Sequence, residues 1–208
     1  MAPVVIPTFK EERALLAQGF AIVAGVDEAG CGCWAGPVYA AAVILPFDSG
    51  IGLIRDSKTL SLDQRVRVAR DVKAEAMAWA VGIASAEEID QLNIRVAGAL
   101  AMRRAIEGLS TVPQFVLTDA FRIPNLPMPQ KAVIRGDLTI KSVAAASVIA
   151  KVERDLEMDR LDGLYPGYGF SRHKGYGTKE HQAALHTLGV SALHRKSYAP
   201  IKKMLFPL

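Results

Sequence analysis

Strand-length apolar runs crowd the first half of the chain, and only later do strands alternate with helices; that order leaves few folds open. Phe20–Asp27, Pro37–Leu45 and Ala76–Ser85 read as strands, the second so rich in Ala and Val that both its faces should be buried. Short connections favour antiparallel pairing among the early strands. A helix opening at Ser85 or Ala86 follows, with Glu87 and Glu88 in its first turn and an apolar stripe of Ile89, Leu92, Val96, Leu100 and Ile106. Gln114–Thr118 and Lys131–Arg135 are further strands, and SVAAASVIAKVERDLEMDRL is a long helix whose small residues let it lie close against a sheet. Helical crossovers of this kind favour parallel pairing. The expected fold is α/β: a mixed five-stranded sheet flanked by helices, with a helical C-terminal extension. Shorter helices are expected over 11–19, after the N-cap Ser61 with Gln64 completing a capping box, and over Lys179–Leu188.

The chain of 208 residues suits one domain, or a domain and an appendage. Its net charge of +4 is a weak sign of a polyanionic partner, but the distribution is stronger. From Ser171 onward the cations are Arg172, Lys174, Lys179, Arg195, Lys196, Lys202 and Lys203 against the single acid Glu180, and His173, His181, His186 and His194 lie there too. Cys31 and Cys33, one residue apart, fit free thiols in a reducing compartment better than a disulfide or a zinc site. The longest apolar run, Val38 to Phe47, is strand-sized, and the N-terminal segment lacks a signal-peptide pattern, so a cytoplasmic location is expected. The sequence carries no signal of oligomeric state, and a monomer is the default expectation.

Asp27, Asp119 and Asp137 each stand where an apolar strand stops, and Glu28 adjoins the first. If the strands are neighbours, the acids converge. Clustered carboxylates repel unless protonated or bound to cations, and oxygen-only ligands suit Mg²⁺ or Mn²⁺. Such ions activate water and stabilise a leaving oxygen in phosphodiester hydrolysis. Taken singly, each acid is also compatible with a solvated turn. Two phosphate-loop readings fail: GCGCWAG is followed by a strand-like run with a proline rather than a helix, and GDLTIKS lacks the second glycine before its lysine.

The motifs GVDEAGCGCWAGPV (25–38), RDSKTLS (55–61), LTDA (117–120), GDLTIKSVAAASVIAKVERD (136–155), YPGYGFSRHKGYGTKEH (165–181) and HRKSY (194–198) occur in order. Through them the sequence resembles bacterial ribonuclease HII from about Ile22 to Lys202. The resemblance implies a ribonuclease H-like catalytic core over 1–165 and a substrate-binding C-terminal extension over 166–208 packed on it. The implied enzyme cleaves the RNA strand of RNA–DNA hybrids and incises duplex DNA 5′ to embedded ribonucleotides, with Mg²⁺ or Mn²⁺, leaving a 3′-hydroxyl and a 5′-phosphate by a two-metal-ion mechanism. The family's metal-binding carboxylates fall on Asp27, Glu28, Asp119 and Asp137; Asp155 would be structural or support the ligands. Substrate contacts would come from the main chain of Gly30, Cys31 and Gly32 at the ribose 2′-hydroxyl, from Ser57 and Lys58 at backbone phosphate, and from Tyr176 stacking on a sugar. In two places the chain departs from the pattern. Cys31 stands where the family usually has arginine, which removes a charge-assisted contact worth about 1.5–3 kcal/mol, and Ala120 stands where glycine commonly follows the third acid.

Two other readings stay open at this level. The Gly-Cys-Gly departure allows a nucleic-acid-binding protein with impaired catalysis. The terminal Met204-Leu205-Phe206 loosely resembles short apolar peptides that dock on sliding clamps. Phosphate contacts from the basic segment predict affinity that falls steeply with salt.

Overall fold

The structure, a computed structural model, describes residues 5–52, 54 and 60–206. Helix α1 (Lys10–Leu16) precedes strand β1 (Val23–Ala29) and β2 (Val38–Ile44); α2 (Leu62–Glu75) and β3 (Ala78–Ala84) follow. Then come α3 (Ala86–Leu92), α4 (Ile94–Glu107), β4 (Phe115–Asp119) and β5 (Gln130–Val133). The chain closes with α5 (Gly136–Thr139), α6 (Lys141–Leu164), α7 (Phe170–His173), α8 (Lys179–Leu188) and α9 (Ala199–Leu205). The five strands form one mixed sheet in the order β3-β2-β1-β4-β5. β1 lies at its centre, antiparallel to β2 from Gly25↔Val43 to Ala29↔Tyr39 and parallel to β4 from Val23↔Phe115 to Val26↔Thr118. The antiparallel β1–β2 pair follows its short connection, and the parallel β1–β4 pair follows from a longer one that includes helices. Two pairs depart from that rule: β3 is antiparallel to β2 although α2 lies between them, and β5 joins β4 in parallel through a proline-rich loop rather than a helix. The Gln130 side chain holds that loop by accepting from the Ile123 N–H and donating to the Ile123 carbonyl, at 2.8 and 2.7 Å.

Two helices cover the sheet at close range. On one face α4 buries Ala97, Ala101, Met102, Ala105 and Ile106 against Ala24, Val26, Ala40 and Ala42. On the other, the alanine run of α6 packs on Ala41 and Val43, with Phe9, Leu60 and Val68 completing the cluster. The approach is so tight that a Cβ at Gly25 would lie 2.2 Å from the Ser142 carbonyl carbon, and one at Gly82 2.0 Å from the Ala101 oxygen. The small residues of helix and strand thus bring β1 almost into backbone contact with α6.

The capping boxes at Ser61–Gln64 and Ser85–Glu88 form, and Thr178 caps α8. Three local expectations are corrected. The helix after Ser85 is two helices, because Asn93 adopts φ 69° and its side chain accepts from the N–H groups of Arg95 and Val96, starting a new helix. That break shifts the phase, so Leu92 and Val96 are exposed and the alanines face the sheet. Second, β1 does not stop at Asp27 but runs on to Ala29, paired with β2. Third, β5 ends at Val133, and Asp137 sits on the one-turn helix α5 beyond the left-handed Arg135. No described helix is long and apolar enough to cross a membrane.

The C-terminal segment packs its own cluster, Tyr168, Phe170, Leu185 and Ile201, onto Met158 and Leu161 of α6. Three of its histidines are buried with it. The Ser191 N–H donates to His194 Nδ1 (3.0 Å), His181 Nδ1 donates to the Tyr176 carbonyl (3.0 Å), and the two Nε2 atoms meet at 3.0 Å. A backbone N–H only donates and a carbonyl only accepts, so with both rings neutral the proton between them belongs to His194. Protonating either ring would set two N–H groups face to face. Burial pushes both groups from the ordinary 6.5 down to about 4. The unfolded chain therefore binds more protons between those values, and stability falls as pH drops from about 6.5 towards 4. The melting temperature should fall by roughly 5 °C between pH 7 and pH 4.5. His194→Gln should flatten that slope; a variant profile parallel to the parent's would contradict the assignment.

Candidate active site

The β1–β4 ladder ends at Val26↔Thr118, and the next residues on the two strands are Asp27 and Asp119. The acids therefore emerge side by side where the strands part. Side chains alternate along a strand, so Asp27 shares the face of Gly25 and looks towards α6, while Glu28 looks away. Ser147 of α6 hydrogen-bonds Asp27, and Asp27 Oδ1 accepts from the Glu28 N–H at 2.8 Å. Asp119 Oδ1 accepts from the Gly136 N–H at 2.7 Å, which ties the start of α5 to the end of β4 and carries Asp137 with it. Between them Ala120 turns the chain at φ 55°, a conformation that suits glycine and strains alanine by about 1 kcal/mol.

Asp27, Glu28, Asp119 and Asp137 line one cavity of about 230 Å³ together with Gly30, Cys31, Gly32, Ser147, Lys151 and Tyr176. Asp27 and Asp137 are buried. Burial, reinforced by Glu28 and Asp119, holds the Asp27 carboxyl well above the usual carboxylate range, against the lowering effect of Ser147. Among the described residues no three acid, histidine or cysteine side chains already surround one ion-sized point. The carboxylates share a cavity without having collapsed onto a common centre, as mutually repelling charges should.

Tyr176 is 43% exposed and presents its ring to the cavity, with Lys151 Nζ 5.8 Å from the ring centre. Its neighbours Gly175 and Gly177 serve packing. They permit close packing: a Cβ at Gly175 would lie 2.4 Å from the Ala35 oxygen, and one at Gly177 2.2 Å from the Trp34 ring. The segment carrying Tyr176 is thereby pressed onto the glycine loop of residues 30–36. Cys31 Sγ donates to Glu28 Oε1 at 3.5 Å, and burial and that carboxylate push the thiol pKa up. Both cysteines are free. Asp155 does not line the cavity; it pairs with Lys151 at 2.6 Å and with Arg65 at 3.7 Å, and so holds Lys151 in place. Ser57 and Lys58 lie outside the described residues.

Ser147 and Lys151 reach the cavity although neither stood out in the sequence. With Asp155 they recur every fourth residue on α6, a polar line on an otherwise apolar face, and that spacing was the available signal. The C-terminal cations need a larger correction. Arg195 is wholly buried, Arg172 pairs with Glu180 and Lys174 with Asp159, which leaves Lys179, Lys196, Lys202 and Lys203 as the exposed cations after Ser171 without a salt bridge among the described residues.

Residues 24–201 match the family described as Ribonuclease HII. A protein named Ribonuclease HII from Desulfitobacterium hafniense (strain Y51) is 49% identical over 196 residues, covering 94% of this chain and 75% of the relative. One of the same name from Vibrio campbellii is 50% identical over 188 residues, covering 90% and 89%. Among solved structures, the ribonuclease H2 from Pyrococcus horikoshii OT3 superposes with a TM-score of 0.74 at 25% identity, covering 88% of this chain and 96% of that one.

Proposed function

The chain belongs to the ribonuclease HII family and is an endoribonuclease of that type; on that basis we propose that it incises duplex DNA 5′ to embedded ribonucleotides and cuts the RNA strand of RNA–DNA hybrids. The observation that carries this reading is the single cavity in which four carboxylates from β1, β4 and α5 meet the glycine loop and Tyr176. The donor set is all oxygen and anionic, and Asp27 is displaced upward by burial first and by the neighbouring charges of Glu28 and Asp119 after it, charge that a cation would relieve, so the residues fit Mg²⁺ or Mn²⁺. Asp27, Glu28, Asp119 and Asp137 would hold the ions. Bound there, two divalent ions would lend Lewis-acid stabilisation to the scissile phosphate and the departing oxygen.

The chain's own groups do the rest. Ser147 and the Glu28 N–H fix Asp27, and the Gly136 N–H fixes Asp119. The main chain of Gly30–Gly32 approaches the ribose, where a 2′-hydroxyl distinguishes RNA from DNA. Tyr176 stacks on the neighbouring sugar, and Lys151 offers a cation beside it. Lys179, Lys196, Lys202 and Lys203 hold the duplex backbone. Water adds to phosphorus and the P–O3′ bond breaks, leaving a 3′-hydroxyl and a 5′-phosphate.

The test is a DNA duplex carrying one ribonucleotide, incubated with Mg²⁺ or Mn²⁺. Incision on the 5′ side of that nucleotide is expected. Binding without incision would favour the alternative, a binding protein impaired at Cys31. A second reading concerns the tail. Ile201 anchors α9 and Met204 packs beside it, but Leu205 and Phe206 stay exposed, Phe206 at 69%, which favours docking on a partner such as a sliding clamp over folding onto the domain. Deleting residues 204–208 without change in clamp affinity would rule it out.

A further inference from the structure

The glycine loop does not shape itself. Its backbone is paired with the C-terminal segment: the Trp34 N–H donates to Gly175, the Gly36 N–H to Leu193, and the Arg195 N–H to Trp34, each at 2.8 Å. Into this seam the wholly buried Arg195 sends its guanidinium, with no carboxylate partner among the described residues. Nε donates to the Gly36 carbonyl at 3.0 Å, while Nη1 donates to the Cys31 carbonyl at 3.1 Å and to the Tyr198 hydroxyl at 2.9 Å. The Tyr198 hydroxyl in turn donates to the same Cys31 carbonyl at 2.5 Å. One carbonyl of the recognition loop is therefore gripped twice, once by a charged donor.

That grip has a geometric consequence. The chain has no cis peptide among the described residues, so the C=O of Cys31 and the N–H of Gly32 point in opposite directions across one rigid plane. With the carbonyl drawn inward to Arg195 and Tyr198, the Gly32 N–H is turned away from them, and Gly32 is itself exposed and lines the cavity. We propose that Arg195 and Tyr198 are positioning residues for ribonucleotide selection: they lock the Cys31–Gly32 peptide so that the Gly32 N–H is presented to the ribose. The inference rests on the functional reading above and adds how the loop acquires its specificity in a chain that lacks the usual arginine at position 31.

Tyr198→Phe removes the hydroxyl and keeps the ring, and the backbone pairing of the seam remains, so the variant should fold. Three quantities test the lock with Mn²⁺ present: kcat/KM on a duplex with one ribonucleotide, the inhibition constant of an all-DNA duplex as competitor, and the rate at which iodoacetamide alkylates Cys31, read by peptide mass. Expected are a roughly tenfold fall in kcat/KM, an unchanged inhibition constant and faster alkylation, since the loop loses a strong anchor while duplex binding does not. Arg195→Lys, which cannot span Gly36, Cys31 and Tyr198 together, should act in the same direction. Unchanged kcat/KM in both variants would overturn the proposal, as would a fall matched by weaker all-DNA inhibition, or one without faster alkylation. A parent enzyme that fails to incise the ribonucleotide duplex would instead remove the functional reading, and this proposal with it.

Discussion

Asp27→Asn should lower incision by about a thousandfold or more and yet raise the melting temperature of the metal-free protein by about 3 °C. The loss follows from removing an anionic oxygen at the centre of the proposed ligand set, where several kcal/mol of charge stabilisation are at stake. The gain follows from the same burial. Asp27 is raised by desolvation and by Glu28 and Asp119, so in the folded state its carboxyl takes up a proton at higher pH than in the unfolded chain. Stability is then intact below about pH 3.8, its unfolded value, and is lost as pH rises through the folded value. Asparagine escapes that loss and can still accept from the Glu28 N–H, which Asp27 now does at 2.8 Å. The stabilisation should therefore be present at pH 7.5 and shrink towards pH 4, measured by thermal melts in EDTA. Adding Mn²⁺ should raise the melting temperature of the parent and not of the variant. Full incision by the variant would sink the ligand assignment.

Gly25→Ala should cost about 3 kcal/mol of stability, read as a lower urea midpoint at unchanged slope. The added methyl would lie 2.2 Å from Ser142 C, 2.4 Å from Val143 N and 2.5 Å from Ser142 O. These are backbone atoms of α6, so no side chain can rotate aside, and helix and central strand must separate. Separation also draws Ser147 away from Asp27, so activity should fall further than stability alone would dictate. Gly32→Ala is the control, since a Cβ there meets nothing within 4 Å; its urea midpoint should match the parent's. Equal midpoints for all three proteins would show that β1 and α6 have slack between them.

The close contact at Gly25 was partly legible, because a helix of alanine and serine announces that something lies near it. The four acids were legible for a related reason: each follows an apolar run, and a parallel sheet sends such ends to one edge. The local details around them were not. Asp137 belongs to a four-residue helix, too short for any periodicity to register. Asn93 breaks a helix through a backbone angle that its neighbours do not announce. Arg154 and Arg195 are the clearest misses. Both are fully buried, and Arg154 donates to the carbonyls of Pro37, Lys174 and Ala35 at 3.0, 3.0 and 3.3 Å. A lone arginine in a sequence reads as a surface cation, and only tertiary structure brings carbonyls more than a hundred positions away to receive it. The histidines after Ser171 misled in the same way: in a basic stretch they looked like part of a charged surface, and three of them are buried in the core.

The grip of Arg195 on Cys31 closes a loop of 164 residues. Joining ends so far apart costs chain entropy that nearer contacts do not, and it is recovered only once both surfaces exist. During refolding the sheet should therefore assemble first and the seam last. Protection of Cys31 from alkylation should lag behind protection of the strand amides from hydrogen exchange; simultaneous protection would contradict that order. On the proposed reading, the acids should gather before the loop that would select ribose over deoxyribose is set.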